Sequence, residues 1–470
     1  MRTYINGYLA VITAALLGAC KVSKDVPLPD APLPAAYRFA TNGDTASVAQ
    51  LPWKSFFTDA ALQNLLDSAI TRNNDLQIAI RNLEQAQLTL KQARLGNLPA
   101  ASLQVTANTN RPSDNSLNGL SLNQFLGSKH IEDYTAAVNL SWEADIWGKI
   151  RSRKAAALAS YLQTEEARKA VQTQIVSNVS QGYYNLQMLD AQLSVANKNL
   201  RLNDSTLNII RLQFNSGQVT SLAVQQAEAQ RLNAAQLIPQ FEQEIAVQEN
   251  ALSILAGRLP DTITRSGPGL NDQPGAVLSA GLPSALLSRR PDVRSSELAL
   301  ERANAEVGYA KASMYPSLTI TAQGGVNAFK ASNWFNIPAS LFGTAIAGLS
   351  QPLFQRGQLK TGLEVAKVER EKTVISFRQQ VLVAVAEVSD ALVRIDKLQQ
   401  QQQIAANRAK TLQQATANAR LLFNNGMANY LEVITAQSNV LQSELELARI
   451  KNTRLAATVD LYRSVGGGWE

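Results

Sequence analysis

The sequence predicts a mainly α-helical chain built as two tandem repeats, each a β-hairpin of membrane-barrel type joined to long coiled-coil helices. Three observations predict this: one half of the chain repeats the other, each half holds a period-two hairpin, and long proline-free stretches carry apolar residues at every seventh position.

The repeat comes first because it fixes the plan. Asp75-Leu76 through Pro99-Ala100-Ala101-Ser102-Leu103 aligns without gaps with Asp292-Val293 through Pro316-Ser317-Leu318-Thr319-Ile320. Leu83 matches Leu300, Glu84 matches Glu301, Ala93 matches Ala310 and Pro99 matches Pro316. Farther on, Gly148 matches Gly357, Phe214-Asn215-Ser216-Gly217 matches Phe423-Asn424-Asn425-Gly426, and Ala227 matches Ala436. Chance likeness between helices does not give three such matches in one order. The expected organisation is a first repeat over 75–291 and a second over 292–470.

Ahead of the repeats lies a targeting segment. Arg2 precedes an apolar stretch from Tyr8 to Leu17, too short to span a bilayer but suited to the core of a signal peptide. Leu17-Gly18-Ala19-Cys20 then matches a bacterial lipobox, in which small residues admit the cleaving enzyme and the thiol accepts a diacylglyceryl group. Cys20 is the only cysteine, so the chain can form no internal disulfide and no cysteine metal cluster. The expectation is a signal peptide over 1–19 and a lipidated segment over 20–74, starting at Cys20.

Within each repeat the order is helix, strand, loop, strand, very long helix, tight turn, long helix. Residues 75–98 are rich in Leu, Ala, Gln and Lys, good helix formers, and Pro99 ends the run. Leu103, Val105 and Ala107 then alternate with Gln104, Thr106 and Asn108, predicting a strand over about 102–110. A polar stretch from Arg111 to Lys129 reads as a flexible loop. The return strand, about 133–143, puts Tyr134, Ala136, Val138, Leu140 and Trp142 on one face. Strands over about 317–325 and 341–350 form the second hairpin, the last of them small, apolar and poorly alternating. Segments of about ten residues with aromatics near their ends (Tyr134, Trp142, Trp334) suit a membrane barrel.

From Gly148 to Phe214 there is no proline, and only Gly182 interrupts a helix that would reach on the order of 100 Å. Val179, Leu186, Leu193, Leu200, Leu207 and Phe214 form a heptad seam beside a row of Ile175, Leu189, Ala196 and Ile210, in which Gly182 and Asn203 are the weak positions. The second repeat carries Val388, Ile395, Ala409 and Phe423 beside Ala384, Ala391, Leu398, Ala405 and Leu412. The run Gln399 to Gln403 reads as a solvated face. Gly217 and Gly426 stand where each helix must reverse, which calls for a positive φ.

Four strands cannot close a membrane barrel, which needs about eight or more, and bare strand edges are not tolerated in lipid. Self-association must supply the rest. Two chains would give about eight strands with a nearly filled interior, whereas a third opens a lumen. Cyclic symmetry then closes a trimer.

Composition narrows the function. Mean hydropathy is -0.12 and no run of roughly 18 apolar residues occurs, which excludes a multi-span helical membrane protein. The 44 basic and 37 acidic residues, net +7, are spread along the chain without a basic cluster, so nucleic acid is not expected as a partner. There is no HExxH, GxSxG, P-loop or paired CxxC, and the single His130 lies in a predicted loop, so no enzyme activity, cofactor or metal is expected. Met188, Met314 and Met427 are scattered and outline no copper or silver pathway. Gly466-Gly467-Gly468 reads as a flexible terminus.

Three segments carry a specific resemblance. Gly281-Leu282-Pro283-Ser284-Ala285-Leu286-Leu287-Ser288-Arg289-Arg290-Pro291-Asp292-Val293 resembles the signature of the outer membrane factor family of tripartite efflux systems, in its TolC/OprM-like, NodT-type lipoprotein branch. Leu349-Ser350-Gln351-Pro352-Leu353-Phe354 is similar to the family's segment between second hairpin and long helix, and Trp53 to Leu62 to its opening segment. The likeness runs over essentially the whole mature chain. Physically, Arg-Arg-Pro-Asp also suits a helix start, because Pro291 forces Arg290 to be extended and Asp292 suits a first turn.

The resemblance implies a homotrimer with a 12-stranded outer-membrane barrel and a periplasmic α-helical barrel. The tip turns, at Ser216-Gly217 and Asn425-Gly426, would dock a periplasmic membrane fusion (adaptor) protein joined to an inner-membrane pump of RND type. The family's acidic constriction falls on Glu432, while Thr435 stands where many relatives carry a second Asp. Its polar tip latch would use positions occupied here by Ala223 and Ala428, so neither latch partner is present. The expected function is export of small molecules such as drugs and toxic compounds. A conduit for type I-like protein secretion shares this architecture. A periplasmic coiled-coil scaffold lipoprotein would explain lipobox and heptads but not the matched hairpins.

Overall fold

The computed structural model describes residues 33–39, 47–266 and 279–470. Cys20, the signal peptide and the start of the lipidated segment lie outside the described residues. Eight helices longer than one turn occur among the described residues: α1 (Ala60–Arg72), α2 (Asn74–Leu95), α3 (Leu117–Leu126), α4 (Lys149–Asn215), α5 (Ser221–Leu255), α6 (Pro291–Ala312), α7 (Gln358–Asn424) and α8 (Tyr430–Ser464). Four strands, β1 (Ala100–Asn110), β2 (Ile131–Ala144), β3 (Ser317–Ala328) and β4 (Leu341–Ser350), make one sheet. The chain divides into a strand-bearing unit, residues 85–162 with 298–375, and a helical unit made of the other described residues.

The sheet is antiparallel throughout, in the order β1-β2-β3-β4, leaving β1 and β4 as edges. Its register aligns the two hairpins face for face. Leu103 lies opposite Val138, which lies opposite Gly324, which lies opposite Gly343. Because alternate residues share a face, one side carries Leu103 and Val105, then Val138 and Leu140, then Leu318 and Ile320, then Leu341 and Leu349. The other carries Gln104 and Thr106, then Thr135 and Asn139, then Thr321 and Gln323, then Thr344, with Ile131, Ala137, Phe342 and Ile346 among its apolar members. The poor alternation of β4 is thus confined to one face.

The stretch 111–129, expected to be loop, contains the ten-residue helix α3. Its Asn, Ser and Gly content hides the helix. The backbone is held by local contacts instead: Gly119 N–H donates to Ser116 Oγ at 3.1 Å, and a Cβ at Gly119 would lie 2.1 Å from Ser113 O. His130 is exposed next to the start of β2.

The helical unit buries the predicted heptad rows. Val179, Leu186, Ile175, Leu189 and Ala196 on α4 pack in the main core with Ala384, Val388 and Ala391 on α7. Phe56, Phe57 and Tyr462 form its aromatic centre, with Phe56 stacked on Tyr462 at 4.0 Å. Asp59 caps α1 by accepting the Ala61 and Leu62 N–H groups, and its other oxygen accepts the Tyr183 hydroxyl at 2.6 Å. Burial raises that tyrosine to about 12, and its bond to Asp59 adds to the rise.

Four details depart from the sequence reading. Gly182 is a close approach rather than a weak point, since a Cβ there would meet Leu252 Cδ2 at 2.8 Å and Gln248 Nε2 at 2.9 Å. Asn203, the other weak position, is buried and hydrogen-bonded. Phe214 leaves the seam and is exposed, whereas its counterpart Phe423 is buried in the tip cluster. Gly466, Gly467 and Gly468 are buried, not loose: Gly467 N–H donates to Tyr462 O at 2.9 Å, and a Cβ on Gly467 would enter the Tyr462 ring.

Candidate functional site

The two tip turns are built alike. Gly217 N–H donates to Phe214 O at 2.9 Å and Gln218 N–H to Gln213 O at 2.9 Å. Gly426 N–H donates to Phe423 O at 3.0 Å and Met427 N–H to Leu422 O at 2.8 Å. This crossed pair of bonds is a Schellman end, and it places Gly217 and Gly426 at φ of 73° and 71°, where a side chain would be strained. Ser216 Oγ donates to Leu212 O at 3.0 Å, and Asn425 Nδ2 to Leu421 O at 2.8 Å. All four turn residues are exposed.

Behind the turns the helices meet in a small apolar cluster of Leu207, Ile210, Ala223, Ala227, Phe423 and Val433, with Ala428 packed against it. Ala223 and Ala428, the positions without latch groups, contribute hydrophobic packing at the place where relatives with a polar latch would carry it. Glu432 sits in the first turn of α8 with its side chain exposed. Its N–H donates to Asn429 Oδ1 at 3.1 Å, which caps the helix, and its carboxylate makes no ion pair among the described residues.

The signature segment does more than start a helix. Arg290 is buried and gives both edges of its guanidinium to carboxylates: Nε and Nη2 to Asp292 at 2.9 and 2.6 Å, and Nη1 to Glu387 at 2.7 Å. Nη1 also donates to Ser464 O at 3.1 Å, so α6, α7 and the end of α8 are tied to one side chain. Spacing alone did not reveal this, because Glu387 lies far along the sequence.

The sheet's apolar side is edged by aromatics at both ends. Where the hairpins turn, Tyr134 lies 5.4 Å from Trp334, which lies 5.1 Å from Phe335. Where the helices join, Trp142 Nε1 donates to Asn97 O, and Trp147 donates to Pro316 O and stacks on Tyr315 at 4.9 Å. Tyr134 and Trp142 are separated by about 26 Å at ~3.3 Å per strand residue, close to the ~25 Å apolar band of outer-membrane barrels. Between them Leu103, Val105, Val138 and Leu140 are largely exposed, a large apolar surface that water alone would not favour.

The sheet, coiled-coil helices and tip define a membrane-channel subunit, and comparison with known proteins gives its family. The outer membrane efflux protein family matches residues 65–258 and 282–467, and the chain belongs to that family. It is 28% identical to the cation efflux system protein CusC of Escherichia coli O6:H1 over 98% of both chains. It is 29% identical to the toluene efflux pump outer membrane protein TtgC of Pseudomonas putida, over 97% of this chain and 94% of that one. A crystal structure of a membrane protein from Pseudomonas aeruginosa superposes with a TM-score of 0.86 at 26% identity, over 95% of this chain and 100% of that one. The open-state MtrE outer membrane channel of Neisseria gonorrhoeae, at 24% identity, has the same fold, with a TM-score of 0.86 over 96% of this chain and 99% of that one. The mainly α, tandem-repeat fold, the outer-membrane location and the efflux-channel function expected from the resemblance hold. The family is one of efflux channels rather than enzymes.

Proposed function

We propose that three copies of this chain close a 12-stranded outer-membrane barrel, each repeat (75–291 and 292–470) giving one hairpin, and that the assembly exports small molecules. The observation that carries this reading is the sheet itself, with one continuous apolar face, one polar face and two unpaired edges. Such a sheet is stable in lipid only when its edges are paired, which three copies achieve by joining β4 of one to β1 of the next. The apolar face then meets lipid and the polar face lines the lumen.

The exposed turns at Ser216-Gly217 and Asn425-Gly426 dock a periplasmic adaptor protein, which joins the channel to an RND-type inner-membrane pump. Glu432 contributes one carboxylate per subunit to a constriction, and lipid on Cys20 assists anchoring. Relatives named for cation and toluene efflux support a small-molecule cargo without choosing among such molecules.

Reconstitution tests the reading. The purified protein should migrate in SDS as a heat-modifiable trimer and give ion currents in planar bilayers. Single cysteines at Ser216 and Asn425 should crosslink to the cognate adaptor, whereas cysteines in the 111–131 segment should not. A monomer without currents would overturn the trimeric channel, and adaptor crosslinks from 111–131 alone would reverse the assigned orientation.

A further inference from the structure

The helical unit contains two separate hydrophobic cores. The main one reaches Ala196 on α4, and the tip cluster begins at Leu207. Between them the buried stripe of α4 is polar: Asn199, Asn203 and Thr206 are only 3, 3 and 4% exposed. They face Gln437 on α8, which is 1% exposed. Gln437 Nε2 donates to Thr206 Oγ1 at 2.7 Å, and Asn199 Nδ2 donates to Gln437 O at 3.2 Å. Asn203 Nδ2 donates to Asn199 O at 3.0 Å and to Asn199 Oδ1 at 2.7 Å.

This belt is under-filled as well as polar. Apart from Leu398, the buried side chains of α5 and α7 that belong to neither core are small: Ala234, Ser253, Ala405 and Ala409. A cleft of about 170 Å³ opens beside the belt, lined by Leu202, Thr416, Arg420, Gln437 and Val440 among others. Gln437 Oε1 is buried without a partner among the described residues. The internal repeat shows that polarity is not demanded at every belt position, because Asn203 and Thr206 correspond to Leu412 and Ala415, whereas Asn199 and Gln437 correspond to Arg408 and Glu228.

We propose that the Asn199-Asn203-Thr206-Gln437 belt is a joint that lets the tip move against the main helical core while the helices stay continuous. Apolar side chains interlocked as knobs in holes hold one register and resist sliding. Amides and hydroxyls can exchange partners as the helices shift, and the unpaired Gln437 acceptor means that the bonds present are not the only set available. The tip cluster, small and set apart by the belt, then opens as its own unit. This sets how readily the channel's periplasmic end widens, and so deepens the channel reading above.

Amide hydrogen exchange on the full-length protein in nanodiscs tests the joint without relying on channel activity. Tip segments 207–227 and 416–436 should exchange at least about tenfold faster than 175–196 and 381–398. Asn203→Leu with Gln437→Leu, which joins the two cores, should slow tip exchange about tenfold and leave the body unchanged. Asn203→Ser, which shortens the donor but keeps the belt polar, should speed tip exchange instead. In bilayers the double variant should spend several-fold less time in high-conductance states at unchanged open conductance. Tip exchange that is unchanged or faster in the double variant, with the SDS-resistant trimer intact, would overturn the joint. If the double variant fails to assemble, Asn203→Ser decides alone, and tip exchange no faster than wild type overturns the proposal. Loss of currents in every form, wild type included, would count against the channel reading and not against the joint.

Discussion

Ala223 and Glu432 occupy the same place in the two repeats, three residues after the residue that caps the returning helix, and they meet opposite surroundings. Ala223 is fully buried in the tip cluster, while Glu432 is exposed. Thr220 caps α5 without a side-chain bond, whereas Asn429 caps α8 through the Glu432 N–H. One backbone plan thus gives a packed position in the first repeat and a free carboxylate in the second.

In the proposed trimer Glu432 places three like charges around one axis, an arrangement that favours cations. Glu432→Gln should lower the cation selectivity of the purified channel in planar bilayers and weaken block by divalent or trivalent cations from the periplasmic side. Glu446→Gln, on the same helix but paired with Arg449 at 2.7 Å, should change neither. Selectivity and block that survive in Glu432→Gln would leave this residue as a helix-start acid only. Ala223→Asp should instead loosen the tip, since it buries a carboxylate among apolar side chains.

Arg290 provides a test at the other end of the helical unit. Replacing it with Met removes the common partner of Asp292 and Glu387 and should cost about 2–4 kcal/mol, part of the penalty being relieved because both acids are partly exposed. Burial would raise the Asp292 carboxyl, but the bonds and charge of Arg290, with Val293 N–H and Gln380, outweigh it and hold it below its ordinary value. The stability this adds is fully present above the unfolded carboxylate pKa, about 3.9, and is lost as pH falls through the lower folded value. Thermal melts followed by circular dichroism should therefore show a wild-type advantage over Arg290→Met that shrinks below about pH 4. An advantage that does not change with pH would remove Asp292 from the account.

Gly182 separates two effects that act in opposite directions. Ala there gains roughly 0.5–1 kcal/mol of helix preference, which offsets the push on the flexible ends of Leu252 and Gln248. Val adds branches the site cannot hold and should cost about 1–3 kcal/mol. Equal melting temperatures for Gly182→Val and wild type would show that α5 does not approach as closely as described.

These positions mark where the sequence was legible. Period two exposed the hairpins and period seven the coiled coils, because one apolar face repeated along a strand or helix is a strong local signal. The two faces of the whole sheet emerged only from the register, which no single strand reveals. Gly182 and Asn203 read as weak heptad positions since pattern cannot distinguish a gap from a close approach or a hydrogen-bonded belt. Gly466 to Gly468 read as loose for the same reason, although Gly466 lies against Arg289, Gly467 against the Tyr462 ring, and Gly468 against Thr173 and Val176. At the tip, the resemblance located Glu432, but its contrast with Ala223 depends on burial that the repeat alignment does not carry.

Cys20 lies outside the described residues, and its modification is tested chemically. Cells labelled with a palmitate analogue should show incorporation into the wild type and none into Cys20→Ser. Equal labelling of both would remove the lipid anchor. Since in the proposed barrel the sheet itself faces lipid, Cys20→Ser should still reach the outer membrane.

The bare edges of β1 and β4 also have a genetic reading. A subunit whose β1 cannot pair, for example through proline at Val105, would still offer a sound β4 and enter a ring it cannot close. In the proposed trimer, with equal expression and random mixing, only about one assembly in eight would be free of the defective chain. Such an allele would be dominant, and a lesion confined to one strand would silence the good copies made beside it.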